Sequence, residues 1–371
     1  MTSGNDPHRR DTFACQPGRR AALAGLAAVT LQSLTSPTYA QALAVPLTPS
    51  EDVELVVYST TDQNEVEGLL AEFVAGMPGV HVRYHKMNSD DLYDLVIRDE
   101  ASGGGTADLV WSSAMDLQMK LVNDGYAQRF VPTDPSHLSP WAAWREQAYG
   151  VTAEPVIFVY NRTAIAPQEV PRSHSELRAF LERNVQTLRG RVGIYDPERS
   201  GSGLLFLAQD AGITPRTWDL VTAIGRTEPK LFTTSSSMLE GVSSGRLLLA
   251  YNVIGSYAMA RSEHDPALGL VIPSDYAIIL ARIAFIPKAA RRPELGKALL
   301  DFLLSRRGQT MLAERHLGSV RDDVTPASSL LQLADPARAQ PIHIGPALLA
   351  YMDRARRANF LRQWHLAIQT R

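Results

Sequence analysis

Along this chain, short apolar runs that end in hydroxyl or glycine residues alternate with stretches of helical periodicity, and that grammar points to an α/β fold. Glu54-Leu-Val-Val-Tyr-Ser59 is the first run. It is almost continuously apolar, the pattern of a parallel strand covered on both faces. Thr61-Asp62 offers a helix N-cap, Val66, Leu69, Leu70 and Phe73 then share one helical face, and Pro78-Gly79 stops it. Val80–Tyr84 is the next predicted strand, Asp90–Glu100 the next helix, and Ala107–Trp111 a third strand closed by Ser112-Ser113.

The same alternation restarts downstream. Ala153–Asn161, Arg191–Tyr195 and Leu247–Tyr251 read as strands, with helices at Ser175–Leu188 and Leu204–Ala211. Gly269–Pro273 and Ala277–Ile286 read as strands returning toward the first unit. Beyond them the spacing predicts helices at Leu295–Leu304 and Gly308–Glu314, loop over 320–344, and an amphipathic helix over Gly345–Thr370. Two α/β units in series suit 371 residues, at ~100–200 residues per domain.

The first forty residues read as an address rather than as fold. Arg9, Arg10, Arg19 and Arg20 precede the apolar run Ala21–Leu31, and Thr38-Tyr39-Ala40 has the small-residue form of a cleavage site. The apolar run is about a dozen residues, short of the ~20 needed to span a bilayer. Residues 1–40 are therefore expected to be a signal peptide, with a soluble mature chain beginning near Gln41, outside the cytoplasm in the periplasm. Arg19-Arg20 resembles a twin-arginine signal; an ordinary Sec signal with two basic residues is the alternative.

Composition removes several function classes. Lys plus Arg number 37 and Asp plus Glu 39, a formal net charge of −2 with no long basic run, so no nucleic acid is expected as a partner. The one cysteine, Cys15, lies in the address segment, so the mature chain has no disulfide, no thiolate and no Cys-ligated metal. No Gly-x-Ser-x-Gly elbow, Walker loop or His-Glu-x-x-His pair occurs. The expectation is a non-enzyme with no cofactor, no metal and no catalytic residue.

In parallel α/β sheets, ligands gather where strands end and helices begin. Five such ends here carry small polar residues: Ser59 and Thr60; Ser112 and Ser113; Thr152 with Glu154; Ser200, Gly201, Ser202 and Gly203; and Asn252, Gly255, Ser256 and Tyr257. Hydroxyls and free N–H groups at helix starts make an anion pocket, and glycines let the backbone approach the ligand. Any one of these residues also serves as an N-cap or turn residue; the case for a site is that all five ends carry them. Arg199 and Arg282 offer charge to an anion, and each also reads as a surface cation or ion-pair partner.

Several of these segments resemble a known family. Leu55-Val-Val-Tyr-Ser-Thr60, Ala107-Asp-Leu-Val-Trp-Ser-Ser113, Val159-Tyr-Asn161, the Asp196-Pro to Gly203 loop and Phe302-Leu-Leu-Ser-Arg-Arg-Gly-Gln309 are similar to the ABC-transporter solute-binding proteins of the ferric-ion-binding type. The resemblance implies a type 2 periplasmic binding protein fold, two α/β lobes joined by crossing strands. It places lobe 1 at 45–155 plus 271–300, lobe 2 at 156–270, and C-terminal helices over 301–371 packing on the lobes. It implies hinges near Thr152–Val156 and Val271–Ala277, and closure around a ligand. Ferric members carry two adjacent tyrosines after a strand like Leu247–Tyr251; here that stretch is Asn252-Val-Ile-Gly-Ser-Tyr257. The segment, with Phe360-Leu-Arg-Gln-Trp364, is closer to the phosphoglycerate and phosphonate subgroup. The implied role is that of a monomer taking a small-molecule anionic ligand, a phosphorylated sugar, phosphoglycerate or phosphonate. Its partner would be an ABC permease or a membrane sensor kinase. The alternatives are a ferric-iron carrier, a sensor input without transport, and, in another class, an exported hydrolase.

Overall fold

The structure, a computed structural model, describes residues 41–44, 53–105, 107–324 and 336–369; the predicted signal peptide lies outside them. Its strands are β1 Gln41–Ala44, β2 Val53–Ser59, β3 Val80–Lys86, β4 Leu109–Ser112, β5 Ala143–Trp144, β6 Ala148–Gly150, β7 Glu154–Asn161, β8 Val192–Tyr195, β9 Lys230–Phe232, β10 Leu249–Ile254, β11 Leu268–Val271, β12 Ala277–Leu280, β13 Ile283–Phe285 and β14 Ala339–Pro341. They form two seven-stranded sheets, ordered β1-β3-β2-β4-β13-β6-β5 and β14-β12-β7-β10-β8-β9, with β11 also paired to β7. Each sheet has a parallel run, β3-β2-β4 inside the first and β10-β8-β9 at one end of the second, adjoined by antiparallel strands. This is the expected two-lobed α/β architecture of the type 2 periplasmic binding proteins.

The chain crosses from the first sheet to the second between Gly150 and Glu154, and returns between Leu280 and Ile283. The second crossing lies downstream of the expected Val271–Ala277, because β11 and β12 both pair with β7 and stay in the second lobe. The predicted strand Ala277–Ile286 is therefore two strands, one in each sheet, interrupted at Ala281-Arg282. The crossings run side by side: Val151 N–H donates to Arg282 O at 2.9 Å, and Arg282 N–H to Thr152 Oγ1 at 2.8 Å.

Other differences are local. The helix predicted over Ser175–Leu188 breaks at Asn184 into His174–Arg183 and Val185–Leu188. The tail begins with a 3-10 turn, Pro346–Tyr351; Asp353 then accepts the Arg356 N–H at 2.8 Å and a new helix runs over Arg354–Gln369. Within the predicted loop 320–344, the described residues include β14, which pairs with β12.

The helices Pro293–Leu304 and Arg306–Glu314 pack on the first lobe, whereas the C-terminal helix packs on Thr217–Arg226 of the second. Trp364 and Phe360 are buried there, with Phe360 edge-on to Trp218 at 5.2 Å. Gly225 allows this approach: a Cβ on it would lie 2.2 Å from the Ile368 carbonyl oxygen. Gly225→Ala should push the C-terminal helix away and cost about 1–3 kcal/mol in urea unfolding, with amide exchange faster over Phe360–Ala367. Unchanged exchange there would show that the two helices slide apart freely.

Candidate functional site

Six described helices begin on one cleft between the lobes. From the first lobe come Gln63–Ala75, Ser89–Ala101 and Met115–Asn123; from the second, Gly201–Ile213, Ser235–Ser243 and Gly255–Ser262. Their caps or first residues, Asp62, Ser89, Ala114, Ser200, Ser235 and Ile254, all line a cleft of about 490 Å³. The cause is the strand order: parallel strands deliver every following helix with its N-terminus on the same edge. Each N-terminus carries about half a positive charge, so the cleft favours anions before any side chain is counted. Three of these helices are capped locally, by Asn88, Ser200 and Thr234, whose side chains accept N–H groups of the first turn at 2.9, 3.1 and 3.2 Å.

The predicted site residues divide into two groups. Thr60, Ser113, Ser200, Gly201, Ser202 and Tyr257 line the cleft. The others do not. Ser59 is fully buried and its Oγ accepts the Thr61 N–H at 3.0 Å. Ser112 accepts from Thr60 Oγ1 at 3.2 Å and from the Ala114 N–H at 3.1 Å, joining the ends of β2 and β4. Gly203 is a packing glycine, since a Cβ there would come within 2.5 Å of the Tyr195 side chain. Gly201 differs: a Cβ on it would meet nothing within 4 Å, so packing does not require it. Asn252 sits at φ 59° in the irregular stretch of β10 between Ala250 and Val253, a left-handed conformation that asparagine tolerates. Its Nδ2 donates at 2.7 Å to buried Asp210, which also accepts from Tyr251 and Tyr276. Gly255 is buried at the start of its helix.

Glu154 and Ser256 belong to a buried network at the crossing strands, with Arg282 at its centre. Arg282, read as a surface cation or an ion-pair partner, is ion-paired and 0% exposed. Its Nε and Nη2 bind the two Glu154 carboxylate oxygens at 2.8 and 2.9 Å, a bidentate pair. Its Nη1 donates to Thr61 of the first lobe at 3.0 Å and to the Tyr257 hydroxyl of the second at 3.3 Å. Thr152 and Ser256 complete the Glu154 carboxylate by donating to one oxygen each. Burial alone would pull the guanidinium's pKa down; the Glu154 charge outweighs it and holds the pKa well above its usual value.

The cleft wall also contains residues the strand-end reading passed over: Lys86, the Asn88–Asp91 turn and Thr233–Ser236. Ser235-Ser236-Ser237 looks like simple low complexity in the sequence, but Thr234 caps that turn and Ser235 Oγ accepts the Ile254 N–H at 3.0 Å. The Tyr195 hydroxyl lies 2.6 Å from the same Ser235 oxygen, and burial pushes that phenol's pKa far up. Tyr251 and Tyr257 do not converge, since Tyr251 points to Asp210 and Tyr257 to Arg282. Among the described residues the one cluster with metal-ligand spacing is His137, Asp322 and Asp323, none of which lines the cleft. No described helix is long and apolar enough to cross a membrane.

Comparison with known proteins places this geometry. The family model described as bacterial extracellular solute-binding protein matches residues 68–339. The chain is 36% identical to a substrate-binding protein of an ABC transporter from Agrobacterium tumefaciens, covering 90% of this chain and 100% of that one, with a TM-score of 0.82. It shares its fold with AfuA from Actinobacillus pleuropneumoniae, solved with exogenous fructose-6-phosphate bound (16% identity, 86% and 99% of the two chains, TM-score 0.67). Iron-bound HitA from Pseudomonas aeruginosa is similarly related (18% identity, 85% and 99%, TM-score 0.67). No curated protein matched.

Proposed function

Because the chain belongs to the bacterial extracellular solute-binding proteins, the substrate-binding components of ABC transporters, we propose that it works in the periplasm and that its interlobe cleft takes a small phosphate- or phosphonate-bearing oxyanion. The observation that carries this reading is the convergence of six helix N-termini on one cleft. Neutral N–H and hydroxyl donors encircle an oxyanion there, with Arg199 at the rim. Gly201 supports it, as a bare backbone that packing does not demand at the start of a helix facing the cleft. The residues proposed to contact ligand are Thr60, Ser113, Ser200, Gly201, Ser202 and Tyr257. The buried Ser59, Ser112, Glu154, Gly203, Asn252, Gly255 and Ser256 hold that wall in place. No catalytic role is proposed for any of them.

The ferric alternative meets a chemical obstacle. A hard trivalent cation calls for free phenolates, whereas the Tyr195 phenol is buried against Ser235 and the Tyr257 phenol accepts from the Arg282 guanidinium. AfuA, with its bound fructose-6-phosphate, shows that a chain of this fold can hold a phosphorylated sugar.

Closure would turn on the paired crossings at Val151–Ala153 and Ala281-Arg282, and the closed form would be offered to a permease or a sensor kinase. A thermal-shift screen against phosphosugars, phosphoglycerates, phosphonates, carboxylates and ferric iron tests the ligand class. A ligand at 100 times its dissociation constant should stabilise the protein by ~2.7 kcal/mol. Ser202→Trp should abolish that shift by filling the cleft. A visible tyrosinate band with ferric iron, and no shift with any phosphate compound, would favour the iron reading instead.

A further inference from the structure

The C-terminal segment, 339–369, touches the two lobes in turn. β14 lies beside β12 of the second sheet, and the Ile342 N–H donates to Ile279 O at 2.9 Å. Two residues on, the Ile344 N–H donates to Trp141 O of the first lobe at 2.9 Å. The 3-10 turn Pro346–Tyr351 then packs on the first-lobe helix Met115–Asn123, with Leu348 buried. Past Met352 and Asp353 the chain is back on the second lobe, where Phe360, Trp364 and Ala367 are buried. That helix also grips the loop leading to Ser200. Arg357 Nη2 donates to Glu198 O at 3.1 Å, and His365 Nε2 lies 3.0 Å from the Glu198 carboxylate.

From this alternation we infer that 339–369 is a strap that holds the angle between the lobes, whichever ligand the cleft takes. β14 lies on β12, directly before the crossing at Ala281-Arg282, so rotation about the crossings moves it little. The 3-10 turn and the C-terminal helix have no such shelter. One is fixed to each lobe, and only Met352 and Asp353 join them. From Tyr351 to Arg354 the chain spans about 10 Å at full stretch. The Tyr351 ring also meets Phe360 edge-on at 4.9 Å, clasping the joint. Rotation of one lobe on the other must turn at this joint or free an anchor. The weaker anchor is the one on the first lobe. It is a short 3-10 turn with one buried side chain, Leu348, against three on the helix. The strap therefore restrains small rotations at the joint and yields to large ones at the 3-10 turn.

Spin labels on Glu67→Cys of the first lobe and Lys230→Cys of the second, both exposed positions, report the interlobe distance with no ligand added. Cys15→Ser keeps the labelling to these two sites. Leu348→Asp should widen or shift the distance distribution measured by double electron–electron resonance. Amide exchange over 347–351 should quicken about tenfold or more, while 360–367 stays protected because the second-lobe anchor is intact. Inserting Gly-Gly-Ser between Met352 and Asp353 leaves both anchors seated and should widen the distribution too. Faster exchange over 347–351 with an unchanged distribution would overturn the strap and leave the tail as packing alone. An unchanged distribution in the insertion variant would overturn it equally, and that variant decides the matter where Leu348→Asp does not fold.

Discussion

Arg282→Met should lower folding stability by about 3–5 kcal/mol in urea titrations near neutral pH. The guanidinium is 0% exposed and answers both oxygens of the equally buried Glu154 carboxylate. Removing it leaves that carboxylate among Thr152 and Ser256 hydroxyls with no cation, in a place water cannot reach. Replacing both charges, as Glu154→Leu/Arg282→Met, should cost much less than the sum of the two single changes. A buried pair swapped for apolar residues no longer carries the penalty of stripping two ions of water. A single replacement costing under about 1 kcal/mol would show that the carboxylate is hydrated in solution after all. The same change should loosen the hinge. Arg282 is the one described side chain that ties Glu154 on one crossing to Thr61 of the first lobe and Tyr257 of the second. The clean result is thus a double-mutant cycle in stability together with weaker ligand-induced stabilisation in the single variant.

This network also shows how far the sequence could be read. The apolar runs ending in small polar residues are legible because parallel strands leave a continuous apolar signature and deliver helix starts to one edge. That is why Thr60, Ser113 and the Ser200–Ser202 turn fall on the cleft as expected. Which of the two readings of Arg282 holds, surface cation or ion-pair partner, is not legible because pairing between segments is invisible in one sequence: Glu154 lies 128 residues away. A signal existed all the same. A lone arginine inside Ala277-Ile-Ile-Leu-Ala-Arg-Ile-Ala-Phe-Ile286 is flanked on both sides by core residues, and a cation there must find a buried partner. That Asn252 does not line the cleft is hidden in the sequence for a related reason. After a strand, asparagine serves equally as ligand contact or as the residue that tolerates φ 59° at an irregularity, and only backbone pairing distinguishes the two. The Thr233–Ser236 wall was missed because a short strand, Lys230–Phe232, with two exposed residues gives little apolar signal before it.

The second large effect is expected at Asp210, the buried carboxylate behind the β10 irregularity. Asp210→Asn should cost about 2–4 kcal/mol near neutral pH. One carboxylate oxygen accepts from Tyr251 and Asn252 at 2.7 Å each, and the other from Tyr276 at 2.8 Å. An amide supplies one acceptor oxygen and one NH₂ group; with its oxygen toward Tyr251 and Asn252, its NH₂ meets the Tyr276 hydroxyl, which must turn its own proton away into a buried site. The pH dependence carries a sign. Burial raises the Asp210 pKa above its ordinary 3.8, against the lowering pull of His174 and the three donors. Between 3.8 and that raised value the native state holds more proton than the unfolded chain, so this group's contribution to stability rises as pH falls through the window. Asparagine does not titrate. The deficit of the variant should therefore widen on acidification from neutrality through the raised Asp210 pKa, measured as the difference between paired urea transitions. A deficit that narrows in acid would mean that the three donors and His174 outweigh burial and hold Asp210 as an anion. The left-handed Asn252 would then be held by a charge-assisted bond rather than by a neutral one.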